Sequence, residues 1–199
     1  MTPSQHLDGV FLDLDWYARD LADESYRDCT FRDVDLTEST SHGAVFESCT
    51  FANCRLNAST HVGSAFVACE FRRTSFFDAT LDGCKLTGSV FVECALRPVT
   101  VRGGQWRSVT MRGANLTDVD LTGLGLADAD FSEADLTRCV LRGADLTGAT
   151  FGRTRLHGAD LRGATLAGSD LGAADLRGTI VDLAGAVVLA EDLGAVVDP

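Results

Sequence analysis

The sequence of 199 residues has only three prolines and no low-complexity tract, which argues against a long disordered segment. Its longest apolar run, Ala184–Ala190, is interrupted by Gly185 and is too short to span a bilayer. The first 30 residues carry acids and no apolar segment of the signal-peptide type. We therefore expect a soluble, cytoplasmic protein with one core, which 45% hydrophobic residues can fill.

Basic residues are scarce, because 17 lysines and arginines face 29 acids and leave a formal net charge of -12. This balance disfavours direct binding to nucleic acid or to an anionic membrane and allows a basic protein partner. The excess lies at the two ends: residues 1–28 carry -5, residues 29–180 carry -3 and residues 181–199 carry -4. The alternative explanation of this negative charge is that it only keeps the protein soluble.

Sequence motifs for catalysis are also lacking. The chain has no nucleophile elbow, phosphate-binding loop, metal motif or pair of catalytic carboxylates. No two cysteines have the C-x-x-C spacing that is typical of zinc sites. We expect a protein that is not an enzyme, with no cofactor, no metal and no small-molecule substrate.

A large residue recurs at every fifth position instead. From Phe11 to Val181 there are 35 such positions, and 33 hold Leu, Phe, Val, Trp, Tyr or Met; the exceptions are Ser41 and His61. We call these the large core positions. The small core positions, two residues earlier, hold a small residue at 30 of 31 sites from Cys29 to Thr179. Neither a helix nor an ordinary strand keeps a period of five, so the sequence predicts a solenoid.

A second period of 20 residues sorts the large core positions by chemistry. One series contains six phenylalanines and the next contains seven leucines: Phe31, Phe51, Phe71, Phe91, Phe131 and Phe151, then Leu36, Leu56, Leu96, Leu116, Leu136, Leu156 and Leu176. Four pentads per turn would place each series in a vertical stack on one of four faces. A rise of about 4.8 Å per coil lets the stacked side chains touch.

All seven cysteines lie at small core positions: Cys29, Cys49, Cys54, Cys69, Cys84, Cys94 and Cys139. We interpret them as small buried hydrophobic residues with reduced thiols. Ser41 and His61 are interpreted as buried polar groups that bond to neighbouring threonines and backbone. A catalytic or ligand-binding role for this pair is the less favoured alternative.

Segments such as Ala144–Gly148, Ala159–Gly163 and Ala174–Gly178 resemble the A-D/N-L-x-x signature of the pentapeptide-repeat family. The resemblance covers about residues 21–181. It implies an all-β fold, a right-handed quadrilateral parallel β-helix of about eight coils. Residues 1–20 are predicted to be an N-terminal cap, which solenoids need for solubility. Pro98 marks the least regular coil.

Residues 182–199 are predicted to form a C-terminal helical module, with Asp182 as N-cap and Gly194 after its end. It is either a simple cap or a dimerisation module, and the family resemblance favours the second. The predicted interface consists of apolar residues, Leu183, Val187, Val188 and Leu193.

Three segments, Thr60–Phe66, Gly88–Pro98 and Cys139–Ala149, look similar to the mycobacterial fluoroquinolone-resistance members of the family. That resemblance implies a homodimer joined through the C-termini that mimics DNA, binds DNA gyrase, and inhibits supercoiling or protects the enzyme from its poisons. The predicted partner-binding residues are acidic: Asp160, Asp170, Asp175, Asp182, Glu191 and Asp192. The rival hypothesis is a structural or scaffold pentapeptide-repeat protein with a partner other than gyrase.

Overall fold

The computed structural model describes residues 4–198, which form a parallel β-solenoid that ends in a short helix. Strands pair in parallel with strands that lie 20 residues further along the chain, as Phe31 pairs with Phe51. The predicted parallel β-helix is confirmed. No helix among residues 4–198 is long and apolar enough to cross a membrane.

All strands are short. Their bounds are β1 (Gln5–Leu7), β2 (Val10–Leu12), β3 (Ser25–Arg27), β4 (Thr30–Arg32), β5 (Thr40–His42), β6 (Val45–Glu47), β7 (Thr50–Ala52), β8 (Thr60–Val62), β9 (Ala65–Val67), β10 (Glu70–Arg72), β11 (Ala79–Asp82), β12 (Val90–Val92) and β13 (Val99–Arg102). A 3-10 turn at Leu171–Ala173 and the helix α1 (Leu183–Asp192) follow.

The coils have four faces. Face 1 contains β1, β3, β6 and β9, face 2 contains β2, β4, β7, β10 and β12, and face 4 contains β5, β8, β11 and β13. Face 3 has single bridges instead, such as those that join Asp15 to Asp35 and Asp35 to Arg55. Regular strands stack through about five turns, fewer than the eight coils predicted, and single bridges continue the 20-residue step as far as Ile180.

The pentad Ala144–Gly148 shows why this signature makes a coil. Ala144 and Leu146 point inward and are completely buried. The Asp145 carboxylate accepts the backbone N–H of Thr147 at 3.1 Å, which closes a local turn. Gly148 then turns the corner at φ 66, a left-handed conformation that glycine adopts without strain. Each position of the motif therefore has its own physical requirement.

Large core positions stack as the 20-residue period predicted. On face 2 the ring centroids of Phe31, Phe51, Phe71 and Phe91 follow one another at 4.6, 4.9 and 4.9 Å. A second aromatic stack on face 1 joins Tyr26, Phe46 and Phe66 at 5.0 and 4.8 Å. These spacings equal the distance between neighbouring strands, so the rings touch along the whole N-terminal half.

Several cysteines, serines and threonines at small core positions donate hydrogen bonds to backbone carbonyls of the coil before them. The hydroxyl of Thr74 donates to the carbonyl of Phe51 at 3.1 Å, and the Cys54 thiol reaches the carbonyl of Phe31 at 3.5 Å. The seven cysteines are free, and six are buried while Cys94 is half-buried. Burial raises the pKa of Cys54 to about 11, so the thiol stays protonated at neutral pH.

The N-terminal residues join the same solenoid. β1 pairs with β3 and β2 pairs with β4, and the Phe11 ring stacks on that of Phe31 at 4.8 Å. The predicted boundary at residue 21 therefore does not coincide with a change of structure. Leu14 and Arg19 stand at small core positions here, but the large residue at every fifth position is enough to continue the coil.

The ladder opens at the coil that contains Pro98. Within residues 4–198, no bridge joins Ala95 to Asn115 on face 3, although bridges at Lys85–Gln105 and Val90–Thr110 continue faces 1 and 2. Pro98 has no N–H to donate to the ladder. The Arg97 side chain spans the opening and donates to the Asp118 carboxylate at 3.2 Å. Among the described residues, no bridge joins Thr100 to Asp120 on face 4 either, so the predicted irregularity at Pro98 is an opening on two faces.

Candidate partner-binding surfaces

Asp160, the first of the predicted acidic residues, is neutralised by its neighbours. Asp160 is 8% exposed, and its carboxylate accepts hydrogen bonds from Arg162 at 2.7 Å and from Arg142 at 2.5 Å. Arg162 and then Arg142 lower the pKa of Asp160 far below its ordinary value. With two guanidinium groups on one carboxylate, this residue adds no negative potential to the surface.

Asp175 and Asp170 are also engaged within the chain. Asp175 pairs with Arg177 at 2.6 Å, and this contact lowers its pKa to about 2. The Asp170 carboxylate accepts the backbone N–H of Phe151. Both side chains therefore support the last coils.

The acids of the C-terminal module hold the helix in place. Asp182 caps α1 by accepting the N–H of Gly185 at 2.9 Å, and its other oxygen accepts the N–H of Gly163 at 2.7 Å. Asp192 accepts the N–H of Gly172 at 2.6 Å. Glu191 alone of the six predicted acids is exposed with no side-chain hydrogen bond or ion pair among the described residues.

The structure thus does not collect the six predicted acids into one free acidic patch. Arginines on one coil pair with acids on the next at separations close to 20 residues, as in Arg138–Asp118 at 2.6 Å and Arg155–Asp135 at 2.9 Å. The period of the solenoid therefore decides which charges cancel.

Besides Asp170, three acids on the later coils have no ion pair among the described residues: Asp120, Asp130 and Asp145. Each directly precedes a large core residue: Asp120 on face 4, Asp130 on face 2 and Asp145 on face 1. The carboxylate of each accepts the backbone N–H of the residue two positions later in the chain. Sequence reasoning missed them. The sequence contained a signal for them, because an arginine that pairs with an acid usually lies about 20 residues away. The residues 20 positions before and after each of these acids are valine, threonine or glycine.

The predicted dimer residues, on α1 and at Leu193 directly after it, divide into two groups. Leu183 and Leu193 are 83% and 73% exposed. Val188 packs against the solenoid core together with Leu189, and Val187 is half-buried. Val188 is therefore a cap residue of its own chain, because α1 turns that side toward the last coil.

His61 lies inside a directed chain of hydrogen bonds. The Ser59 hydroxyl donates to the carbonyl of Leu56 at 2.7 Å, so it accepts the Nε2–H of His61 at 3.1 Å. Nδ1 of His61 is then the acceptor for the Ser41 hydroxyl at 2.7 Å. The Ser64 hydroxyl lies 2.8 Å from the Ser41 oxygen and 3.2 Å from the carbonyl of Val62. The partners are serines, not the threonines that were predicted.

Burial lowers the pKa of His61 to about 4, so its ring is neutral at physiological pH. His61 is 1% exposed and Ser41 is 2% exposed. A serine next to a histidine can form a nucleophile, but a substrate cannot reach this pair. The geometry fits a satisfied polar network within the core.

Surface cavities border the opening near Pro98. One of about 370 Å³ is lined by Arg97, Pro98 and Asp118 among others, and another of about 300 Å³ by Cys94 and Arg112 among others. Within residues 4–198, no three His, Cys, Asp or Glu side chains are placed to hold a metal ion. The long outer faces of the rod are therefore the main candidate binding surfaces.

Comparisons with known proteins agree with this architecture. A family model described as pentapeptide repeats matches residues 125–163 and 154–186 with eight copies. A trypsin-treated variant of QnrB1, a plasmid-mediated fluoroquinolone resistance protein, is 19% identical with a TM-score of 0.59, over 98% of this chain and 92% of that chain. No curated protein matches the sequence.

Two further solved structures are similar over most of the chain but superpose less well. Full-length QnrB1 is 20% identical with a TM-score of 0.49, over 96% of this chain and 100% of that chain. HetL, a pentapeptide-repeat protein involved in heterocyst differentiation regulation in the cyanobacterium Nostoc sp. strain PCC 7120, is 21% identical with a TM-score of 0.37, over 89% of each chain. At 19% identity, the likeness to the trypsin-treated QnrB1 variant concerns the fold alone.

Proposed function

We propose that this chain, which is a pentapeptide-repeat protein, is a cytoplasmic binding protein that occupies the DNA-binding surface of DNA gyrase in place of duplex DNA. Such occupation would inhibit supercoiling and reduce the cleavage complexes that fluoroquinolones stabilise. The support comes from the segments Gly88–Pro98 and Cys139–Ala149, which resemble fluoroquinolone-resistance proteins, and from the shape of the rod.

The observation that carries the proposal is the 20-residue stacking on face 1, which continues past the opening at Pro98. On face 1 the pairing proceeds from Gln5 to Thr165 in eight steps. Eight steps correspond to roughly 38 Å, and two copies joined end to end to roughly 76 Å. Duplex DNA of about 22 base pairs has that length.

A binding role fits the interior better than catalysis does. The aliphatic and aromatic side chains that line the coils fill it, and the polar group at its centre, His61, is enclosed. Catalytic sites are usually concave pockets with convergent polar groups. Recognition on this protein would therefore use the outer faces.

Negative charge for such mimicry would come from Asp120, Asp130 and Asp145, because these acids form no ion pair with an arginine among the described residues. They lie on three faces of three successive coils, so negative charge points outward on three sides of the rod. Attraction to a basic surface acts over a Debye length of about 8 Å at physiological salt.

The arginine pairs favour a second candidate function. Ion pairs such as Arg138–Asp118 and Arg155–Asp135 make much of the outer surface nearly neutral, whereas duplex DNA is negative throughout. A scaffold protein with a partner other than gyrase would tolerate this surface. The charge experiment below distinguishes the two functions.

The charge experiment compares two triple variants in a gyrase supercoiling assay. Changing Asp120, Asp130 and Asp145 to Asn should raise the concentration for half-inhibition about tenfold, because clustered negative charge is lost near a basic surface. Asparagine keeps the local turn that each carboxylate closes.

The matched control changes three acids in the N-terminal half, Asp28, Asp33 and Asp78, to Asn. These residues turn corners at φ 54, 54 and 60, which asparagine also adopts. We expect less than about a twofold change, since the charges lie far from the later coils on the scale of the Debye length. Equal effects of the two variants would contradict the charge mechanism, and no inhibition by the wild-type protein would favour the scaffold.

Pairing of two copies through α1 is part of the proposal. Leu183 and Leu193 expose apolar surface that a second copy could cover. Changing both to Glu should convert a dimer into a folded monomer by light scattering, since the charged groups cannot be buried together. Val188→Asp is the contrasting variant: it should destabilise the cap of its own chain. An unchanged mass for the double variant would show that α1 is not the interface.

A further inference from the structure

The outer side of the first coil is apolar, unlike that of the coils after it. Leu7, Val10 and Leu12 are 66%, 64% and 46% exposed, and Tyr17 is 54% exposed. Twenty residues later the same positions hold arginine, threonine, arginine and threonine. We call these residues, together with Leu14, which is 37% exposed, the first-coil edge. Exposed apolar side chains in a contiguous group are typical of a binding surface.

The same edge has free backbone groups. On the second coil the N–H groups of Thr30 and Asp35 donate to carbonyls of the first coil at 2.9 Å. The equivalent N–H groups of Val10 and Asp15 have no coil before them within residues 4–198. Such an edge can accept a further strand, which pairs with these groups and lies against the apolar side chains.

Charge identifies the occupant. Residues 4–24 contain six acids and one arginine, for a net charge of -5. Arg19 pairs with Glu24 at 3.3 Å and stacks on Trp16 at 3.9 Å. Asp8 and Asp13 are exposed at the corners and have no ion pair among the described residues. The apolar edge is therefore bordered by free negative charge.

A second copy of this chain fits the edge poorly. Two first coils placed end to end would bring together twice this charge of -5. The other end of the solenoid is covered by α1, which packs Val188 and Leu189 on the core. A head-to-tail contact would also fail to close and would produce filaments.

We propose that the first-coil edge binds an extended segment of a protein partner in which apolar residues alternate with polar ones between lysines or arginines. The segment adds a strand to β2, where it pairs with the free N–H of Val10. A depression of about 320 Å³ at this end, lined by Gln5, His6 and Leu7 among others, accepts one of its side chains. This surface is separate from the later coils that are proposed to face gyrase.

The probe is a synthetic ten-residue peptide of alternating valine and threonine with two lysines at each end, labelled for fluorescence anisotropy. Its matched controls carry glutamates in place of the lysines, or N-methyl groups on alternate amides. The lysine peptide should bind, bind more weakly at higher salt, and slow hydrogen exchange at the Val10 amide. The glutamate and N-methylated peptides should bind at least about tenfold more weakly.

Protein variants test the location. Val10→Thr with Leu12→Arg copies the second coil and should weaken binding about tenfold. Val90→Thr with Val92→Arg makes the same change on face 2 at the opposite end of the sheet and should leave binding unaltered. The proposal is overturned if all three peptides bind alike or if the two variants behave alike. It is also overturned if the first variant abolishes a concentration-dependent increase in mass, which would identify a second copy as the occupant.

Discussion

Phe71→Ala should lower the free energy of unfolding by about 3 to 5 kcal/mol, the usual loss when a buried phenylalanine is truncated. Phe71 is completely buried, and its ring lies between those of Phe51 and Phe91 at 4.9 Å on each side. The ring of Phe76 meets it edge-on at 5.2 Å. Truncation therefore removes contacts to three coils and leaves a cavity that the flanking rings cannot fill.

The chain offers a matched control in Phe77→Ala. Phe77 is 53% exposed at an outward position of the same coil, so its truncation should change stability by less than about 1 kcal/mol. Urea denaturation of both variants, followed by circular dichroism, measures the difference. Equal losses for the two substitutions would show that the stack does not stabilise the solenoid.

Stability should fall with acidification because of His61. The pKa of this ring is about 4 in the folded chain and 6.5 as the ordinary value. Between these values the unfolded chain binds a proton that the folded chain does not, so the stabilising contribution is complete above pH 6.5 and is lost as the pH falls toward 4. A difference of about 2.5 pKa units corresponds to about 3 kcal/mol.

His61→Leu isolates this effect from the carboxylates, which also titrate at low pH. Leucine is the residue one coil later in the same stack, at Leu81. The difference in unfolding free energy between wild type and variant should shift by about 3 kcal/mol in favour of the variant from pH 7 to pH 4. His157→Gln, at an exposed position, should retain the wild-type slope. If the unfolding free energy of the His61 variant fell with pH as steeply as that of the wild type, the ring would not be buried in its neutral form.

The candidate site shows where sequence reasoning reached its limit. The acids of the last coils were identified from net charge, which sums over residues without regard to their neighbours. In the folded chain Asp160 meets Arg142 and Arg162, while Asp182 and Asp192 accept backbone N–H groups. Those contacts depend on which residues the coils bring into register, and the 20-residue step could have predicted some of them.

The sequence by itself determined the solenoid, its four faces and the phenylalanine stack that contains Phe31 and Phe71. Because a large residue recurs strictly at every fifth position, these residues all point inward. Because similar residues recur at every twentieth position, similar side chains stack on neighbouring coils. Burial of the cysteines followed from the same register.

Only the tertiary structure decided that Val188 faces its own core and that the ladder opens at Pro98. The open first-coil edge at Val10 and Leu12 also became visible only there. Such features arise where one coil meets the next or lacks a neighbour. Periodicity describes the repeated unit, whereas distances between side chains at the ends and irregular coils depend on the folded chain.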